Sequence, residues 1–111
     1  MIYESSGINS RFDKVIGAFS SATRRNIILQ LFEEDMTVNQ IADKNKITKQ
    51  AASKQKNILA RSGIIKERKS GRELYCSINP QALIIIKDYV NQLESFWEKR
   101  LHKLKDLVEQ Q

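Results

Sequence analysis

Four residue types are scarce in this chain, and each scarcity closes off a class of protein. A single cysteine, Cys76, leaves no internal disulfide framework and suits a reducing compartment, so the chain is expected in the cytoplasm. One histidine and one cysteine, far apart, make a soft-metal or zinc site of three or four ligands hard to assemble. There is one proline and there are four glycines, so no glycine-rich phosphate loop is present and long uninterrupted elements are expected. No apolar run reaches the roughly 18 residues that a membrane-spanning helix needs. Residues 1–6 also lack the basic-then-apolar order of a signal peptide. With no nucleophile–base constellation at recognisable spacing, an enzyme is the weakest functional class, and neither a catalytic residue nor a cofactor is assigned.

What is present is basic charge, unevenly placed. The 111 residues carry a net +6, yet residues 37–75 alone hold ten Lys/Arg against three acids. The flanks come to −1 for residues 1–36 and 0 for residues 76–111. A concentrated excess in the central third is the electrostatic footprint of a polyanion-binding surface. With 41% hydrophobic residues and 29% charged, the whole of 1–111 reads as a single domain of ordinary globular composition.

Apolar periodicity predicts mostly helix, with a small β-hairpin. Ile8, Phe12, Val15, Ile16 and Phe19 give a first helix at about 8–19. Ser20 and Ser21 break it, and a second helix follows with an apolar face of Ala22, Ile27, Ile28, Leu31 and Phe32. Its end is acidic at Glu33, Glu34 and Asp35, which opposes the helix dipole. Thr37 and Gln40 have capping-box spacing and open a short helix, about 37–44, buried through Val38, Ile41 and Ala42. After a polar turn, Thr48 caps a helix at about 49–61 that buries Ala52, Ile58 and Leu59 and ends at Ser62-Gly63. Residues 64–68 and 73–78 are strand-like and flank the basic tip Lys69-Ser70-Gly71-Arg72, predicting a two-stranded hairpin. Asn79-Pro80 starts a last helix that nothing interrupts through Gln111, about 47 Å if continuous.

Two short helices joined by a tight turn and followed by a basic hairpin is the order of a winged helix-turn-helix. That unit sets its second helix in the DNA major groove, its N-terminal side chains toward base edges. Helix 48–61 then offers Thr48, Lys49, Gln50, Ser53, Lys54 and Asn57 to DNA, with Gln50 able to pair bidentately with adenine. From the wing, 66–78, Lys69 and Arg72 would meet the phosphate backbone or minor groove. A rival reading has the same unit docking protein or RNA, its basic surface acting only through charge.

The segment Ala18-Phe19-Ser20-Ser21-Ala22-Thr23-Arg24-Arg25-Asn26-Ile27-Ile28 resembles the opening signature of the ArsR-type winged-helix regulators. Ile47-Thr48-Lys49-Gln50-Ala51-Ala52-Ser53-Lys54 and Ser62-Gly63-Ile64-Ile65 are similar to that family's recognition-helix and exit motifs. Lys69-Ser70-Gly71-Arg72-Glu73-Leu74-Tyr75 resembles its wing. The likeness runs from about residue 12 to the end, and it implies a dimeric repressor-like protein on a two-fold symmetric operator. Two departures stand out. Gln55 and Lys56 occupy positions where many members have His and Leu, so Lys56 must snorkel, bind phosphate, or tilt the helix. Metal-sensing motifs are missing as well, because residues 33–44 hold no cysteine. On the last helix His102 has only the scattered acids Asp88, Glu98 and Asp106 nearby, and it reads as a surface partner of Glu98. Cys76 reads as a small packed residue. Whether a small-molecule effector exists is left open by the residues.

The last helix repeats apolar residues at Leu83, Ile86, Val90, Leu93, Trp97, Leu101, Leu104 and Val108, widened by Ile84, Ile85, Tyr89, Phe96 and Leu107. A chain this short has no other element to cover such a stripe. Helices 8–19 and 80–111 are therefore expected to form a homodimer interface through Phe12, Val15, Phe19, Phe96, Trp97, Leu101, Leu104 and Val108. A membrane-surface helix is the weaker alternative, because that segment is charge-neutral with a mixed polar face.

Overall fold

The computed structural model describes residues 7–110, with side chains from residue 10 onward, so the reading of residues 1–6, the burial of Ile8 and the placement of Gln111 lie outside it. Five helices and three short strands follow in the order α1 (Gly7–Gly17), a 3₁₀ turn (Ala18–Ser20), α2 (Ala22–Glu33), β1 (Met36–Thr37), α3 (Val38–Asn45), α4 (Lys49–Ser62), β2 (Ile65–Ser70), β3 (Glu73–Ile78) and α5 (Pro80–Glu109). The elements are those expected, with one addition. The wing is three-stranded in the order β1-β3-β2, because Met36 and Thr37 pair antiparallel with Cys76 and Tyr75. Two residues are too few for strand periodicity to show, so the sequence pattern predicts only the β2–β3 hairpin.

Local chemistry explains where each helix begins and ends. The Ser21 hydroxyl accepts from the Arg24 amide, Thr37 and Gln40 form a complete capping box, Thr48 accepts from the Ala51 amide, and Asn79 accepts from Gln81 ahead of Pro80. The exits of α3 and α4 share one motif. Lys46 and Gly63 stand in the left-handed region (φ 55° and 86°), and the next amides, Ile47 and Ile64, reach back to the carbonyls of Ala42 and Leu59. Glycine adopts that conformation freely, whereas Lys46 does so against its Cβ. The β2–β3 turn uses Gly71 (φ 63°) at the first of two loop positions, as a type II′ hairpin requires.

The core gathers Val15 and Ala18 from the N-terminal elements, Ile27, Ile28 and Leu31 from α2, Met36, Ile41 and Ala42, Ala52 and Leu59 from α4, Ile64, Ile65 and Cys76 from the sheet side, and Ala82 from α5. Two expectations for α2 need correction. Ala22 and Phe32 are exposed, as is Leu29; the buried stripe is narrower, just Ile27, Ile28 and Leu31. A reciprocal amide pair fixes α2 to α3: Gln30 and Asn45 each donate to the other's carbonyl oxygen, at 3.1 and 2.8 Å.

Only the start of α5 belongs to this core. Ala82 is buried, Leu83, Ile85 and Ile86 are half-buried, and every described residue from Lys87 onward is exposed. The helix leaves the body, giving extents of 68 × 29 × 21 Å and a radius of gyration of 18.9 Å, against about 13 Å for a compact chain of this length.

Candidate nucleic-acid interface

Helix α4 buries Ala52 and Leu59 on one side. At 100° per residue the opposite side carries Gln50, Lys54, Asn57 and Arg61, all exposed, with Ser53 half-buried beside them. Thr48 and Lys49 lie exposed at its N-terminal end, and Lys69 and Arg72 lie exposed at the wing tip. Each residue expected to face DNA is thus on the surface, on α4 or the wing. None of Lys49, Lys54, Lys69 and Arg72 has a carboxylate partner among the described residues.

The ten cations of the central third do not act as one patch. Lys44 lies 3.9–4.0 Å from Glu33 and Glu34, Arg68 lies 3.3 Å from Asp35, and Lys56 lies 3.2 Å from Glu67. The acidic end of α2 thus neutralises two cations on its own side, and Glu67 neutralises a third. Among the described residues, those left without a carboxylate partner are Lys46, Lys49, Lys54, Arg61, Lys66, Lys69 and Arg72. Lys46, in the turn between α3 and α4, and Lys66 carry no motif signal, since neither sits at a motif position.

The position of Lys56 has a definite answer. Its side chain is 13% exposed and its ammonium is paired with Glu67 on β2, so it ties the inner edge of α4 to the wing. It does not point outward to phosphate. Glu67 stands opposite Cys76 in the β2–β3 register. The thiol of Cys76 is fully buried. Burial first, and then the Glu67 carboxylate, push its pKa above the ordinary thiol value, while Lys56 acts in the opposite direction. A high-pKa buried thiol is a poor nucleophile, in keeping with the packed residue expected.

Gln55, the other departure, is equally engaged. Its side-chain oxygen accepts from Arg24 at 3.1 Å, while Arg24 Nε donates to the Ala18 carbonyl at 2.9 Å and the same guanidinium reaches Ser20 and Gly17. One arginine at the start of α2 therefore joins the 3₁₀ turn to α4. Arg24 lies within the opening motif, but its bond to a residue 31 positions away carries no local signal. On the wing, Arg68 stacks 5.1 Å above the Tyr75 ring, and a hydrogen bond to Glu73 together with its charge raises the Tyr75 phenol pKa.

The residues expected at a subunit interface divide. Phe96, Trp97, Leu101, Leu104 and Val108 are open on α5, with Trp97 59% exposed. Phe12 is half-buried against Tyr89, ring centroids 4.5 Å apart, and Phe19 is partly buried on the core. Val15 is a correction: at 3% exposure it has no surface left for a partner, and the exposed Ile16 is its neighbour. His102 is exposed and forms no ion pair with Glu98 among the described residues. Among those residues no three His, Cys, Asp or Glu side chains cluster as metal ligands.

Likenesses to known proteins bear on this geometry. Residues 21–67, from the cap of α2 into β2, match the model of the bacterial regulatory protein family arsR. The transcriptional repressor SdpR of Bacillus subtilis (strain 168) is 32% identical over 87 residues, covering 78% of this chain and 93% of that protein. An ArsR-like transcriptional regulator from Rhodococcus sp. RHA1 superposes with a TM-score of 0.78 at 24% identity, covering 92% of this chain and 96% of the other. A homodimeric winged helix-turn-helix DNA-binding domain from Mycobacterium bovis gives 0.66 at 21% identity, over 86% and 94% of the two chains. The last two likenesses establish the fold as a winged helix-turn-helix.

Proposed function

The chain belongs to the ArsR family of bacterial regulatory proteins, and from that premise we propose that it is a repressor that binds a near-palindromic operator as a homodimer. Helix α4 enters the major groove. Gln50 reads base edges there, Thr48, Lys49, Ser53, Lys54 and Asn57 meet bases or flanking phosphates, and Lys69 and Arg72 of the wing hold the backbone. The observation that carries this reading is the sorting of charge. Within residues 37–75, Lys44, Arg68 and Lys56 are matched by Glu33, Glu34, Asp35 or Glu67, while the cations on the outer side of α4 and at the wing tip face solvent with no carboxylate partner among the described residues. A surface left with one sign of charge is built for a polyanion.

Dimerisation follows from α5. Its half beyond Lys87 shows Leu93, Phe96, Trp97, Leu101, Leu104 and Val108 to water, which an isolated subunit would not sustain. A second copy covering that stripe by two-fold symmetry doubles the DNA-reading unit. The homodimeric neighbour of the same fold supports this arrangement.

In-vitro selection from random duplexes with the purified full-length protein tests the proposal. The expected product is an inverted repeat whose half-sites lie about 34–36 Å, or 10–10.5 base pairs, apart or a multiple of that. A pool that stays random after selection with folded dimer would overturn it.

A further inference from the structure

Away from the DNA-reading end of α4, a cleft of about 200 Å³ opens where three helices meet. Arg11 and Lys14 of α1 stand on one wall, and Arg61, Ser62 and Gly63 at the far end of α4 stand on another. Ile85 contributes apolar surface above the buried Val15 and Ala82, and Asn79 closes the side next to α5. The lining holds three cations and no carboxylate. None of the three has an ion-pair partner among the described residues.

The ordinary reason for cations at this position is the carbonyl end of α4, where they would offset the helix dipole. Part of that carbonyl end is already served. Leu59 accepts from the Ile64 amide and the Ser62 hydroxyl, Ala60 from the Gly63 amide, and Gly63 from the Asn79 side chain. Only Arg61 contributes to the capping, through a long 3.4 Å bond from Nε to Asn57 that leaves its terminal nitrogens unused. The α5 end is likewise closed, since the Asn79 side chain takes the Gln81 amide and its carbonyl takes the Ala82 amide. Lys14 and Arg61 lie in the last turns of α1 and α4, yet none of the three cations has an ion-pair partner among the described residues.

We propose that this cleft binds a small organic carboxylate, held by Arg11, Lys14 and Arg61 with its hydrocarbon end on Ile85. Two guanidiniums and an ammonium match the planar, bidentate acceptor that a carboxylate presents. The volume falls below the roughly 300–1,000 Å³ typical of pockets for drug-sized ligands, which limits the guest to a few carbons. The apolar surface is what distinguishes an organic acid from a bare oxyanion such as phosphate.

The test is a titration of the DNA-free full-length protein with sodium acetate, propionate, butyrate and hexanoate, and with inorganic phosphate, at constant ionic strength. Binding is followed by backbone amide shifts. Saturable shifts confined to residues 11–15, 61–63 and 79–85 are expected, tightening from acetate to butyrate and exceeding the response to phosphate. The double variant Arg11→Gln, Arg61→Gln should weaken butyrate binding at least tenfold, whereas Lys54→Gln on the outer side of α4 should leave it unchanged. Shifts that never saturate, that are equal for phosphate and butyrate, or that survive the double variant would overturn the proposal. Because DNA is absent, the result is independent of whether the operator reading stands.

Discussion

Lys56 shows most clearly how a single side chain ties α4 to the wing. A lysine on the inner edge of α4 loses hydration, and here the loss is met by Glu67 at 3.2 Å. Removing one partner leaves a half-buried charge uncompensated, which costs more than the pair itself contributes. Lys56→Ala should lower stability by about 1–3 kcal/mol, whereas Lys56→Leu combined with Glu67→Gln should stay within about 1 kcal/mol of the parent. Urea midpoints at pH 7 check both values. A single variant as stable as the parent would mean that the pair is only a surface contact.

The Cys76 thiol has a sign that can be worked out. Its pKa in the folded chain is raised, chiefly by burial, so the folded state keeps the proton over a range where the unfolded thiol has lost it. Any stability it contributes is complete below the ordinary thiol range, near pH 8.5–9, and is lost as pH rises above it. Native protein should react with a thiol-specific reagent at pH 8 much more slowly than protein in 8 M urea. Equal rates would contradict the burial.

At the scale of elements, the helix ends carry the fold and were the most legible part of the sequence. Ser21, Thr37 with Gln40, Thr48 and Asn79-Pro80 are local signals that act within four residues of themselves, so reading them requires no tertiary knowledge. Contacts distant in sequence were not legible. The pairing of Met36 with Cys76, the bond from Arg24 to Gln55 and the exposure of Phe32 depend on which element lies alongside, and periodicity holds no record of that. The outer side of α4 could be read because it follows from Ala52 and Leu59 facing inward. The burial of Val15 could not, since an apolar residue on α1 serves a core and a partner equally well in a pattern.

The exit of α4 offers a direct check on backbone geometry. An added Cβ at Gly63 meets no atom within 4 Å, so its cost would come from the left-handed backbone alone. Gly63→Ala should destabilise by about 1 kcal/mol. Lys46→Gly, which relieves the same strain at the exit of α3, should be neutral to stabilising by a similar amount. Thermal unfolding of the two variants should shift in opposite directions or, at the least, never in the same destabilising one.

At the scale of the whole molecule, the chain is a winged-helix body with a long apolar arm. The arm explains the extended shape, and its exposed Trp97 provides a probe. Leu101→Glu with Leu104→Glu places charge in the stripe and should shift sedimentation equilibrium from dimer to monomer. It should also move Trp97 emission to longer wavelength, while the circular dichroism of the body is retained. A variant that stays dimeric with unchanged emission would place the interface elsewhere.

The central claim is that α4 reads bases while the wing holds backbone, and one measurement separates these roles. Fluorescence anisotropy would compare the parent, Gln50→Ala and Lys69→Ala on a selected operator duplex and on a scrambled duplex, from about 50 to 200 mM salt. Gln50→Ala should lose about 1–3 kcal/mol on the operator alone, narrowing the preference. Lys69→Ala should weaken both duplexes alike and reduce the salt slope by about one for each phosphate it no longer neutralises. Equal losses for both variants on both duplexes would contradict the assignment of α4 to the groove and the wing to the backbone.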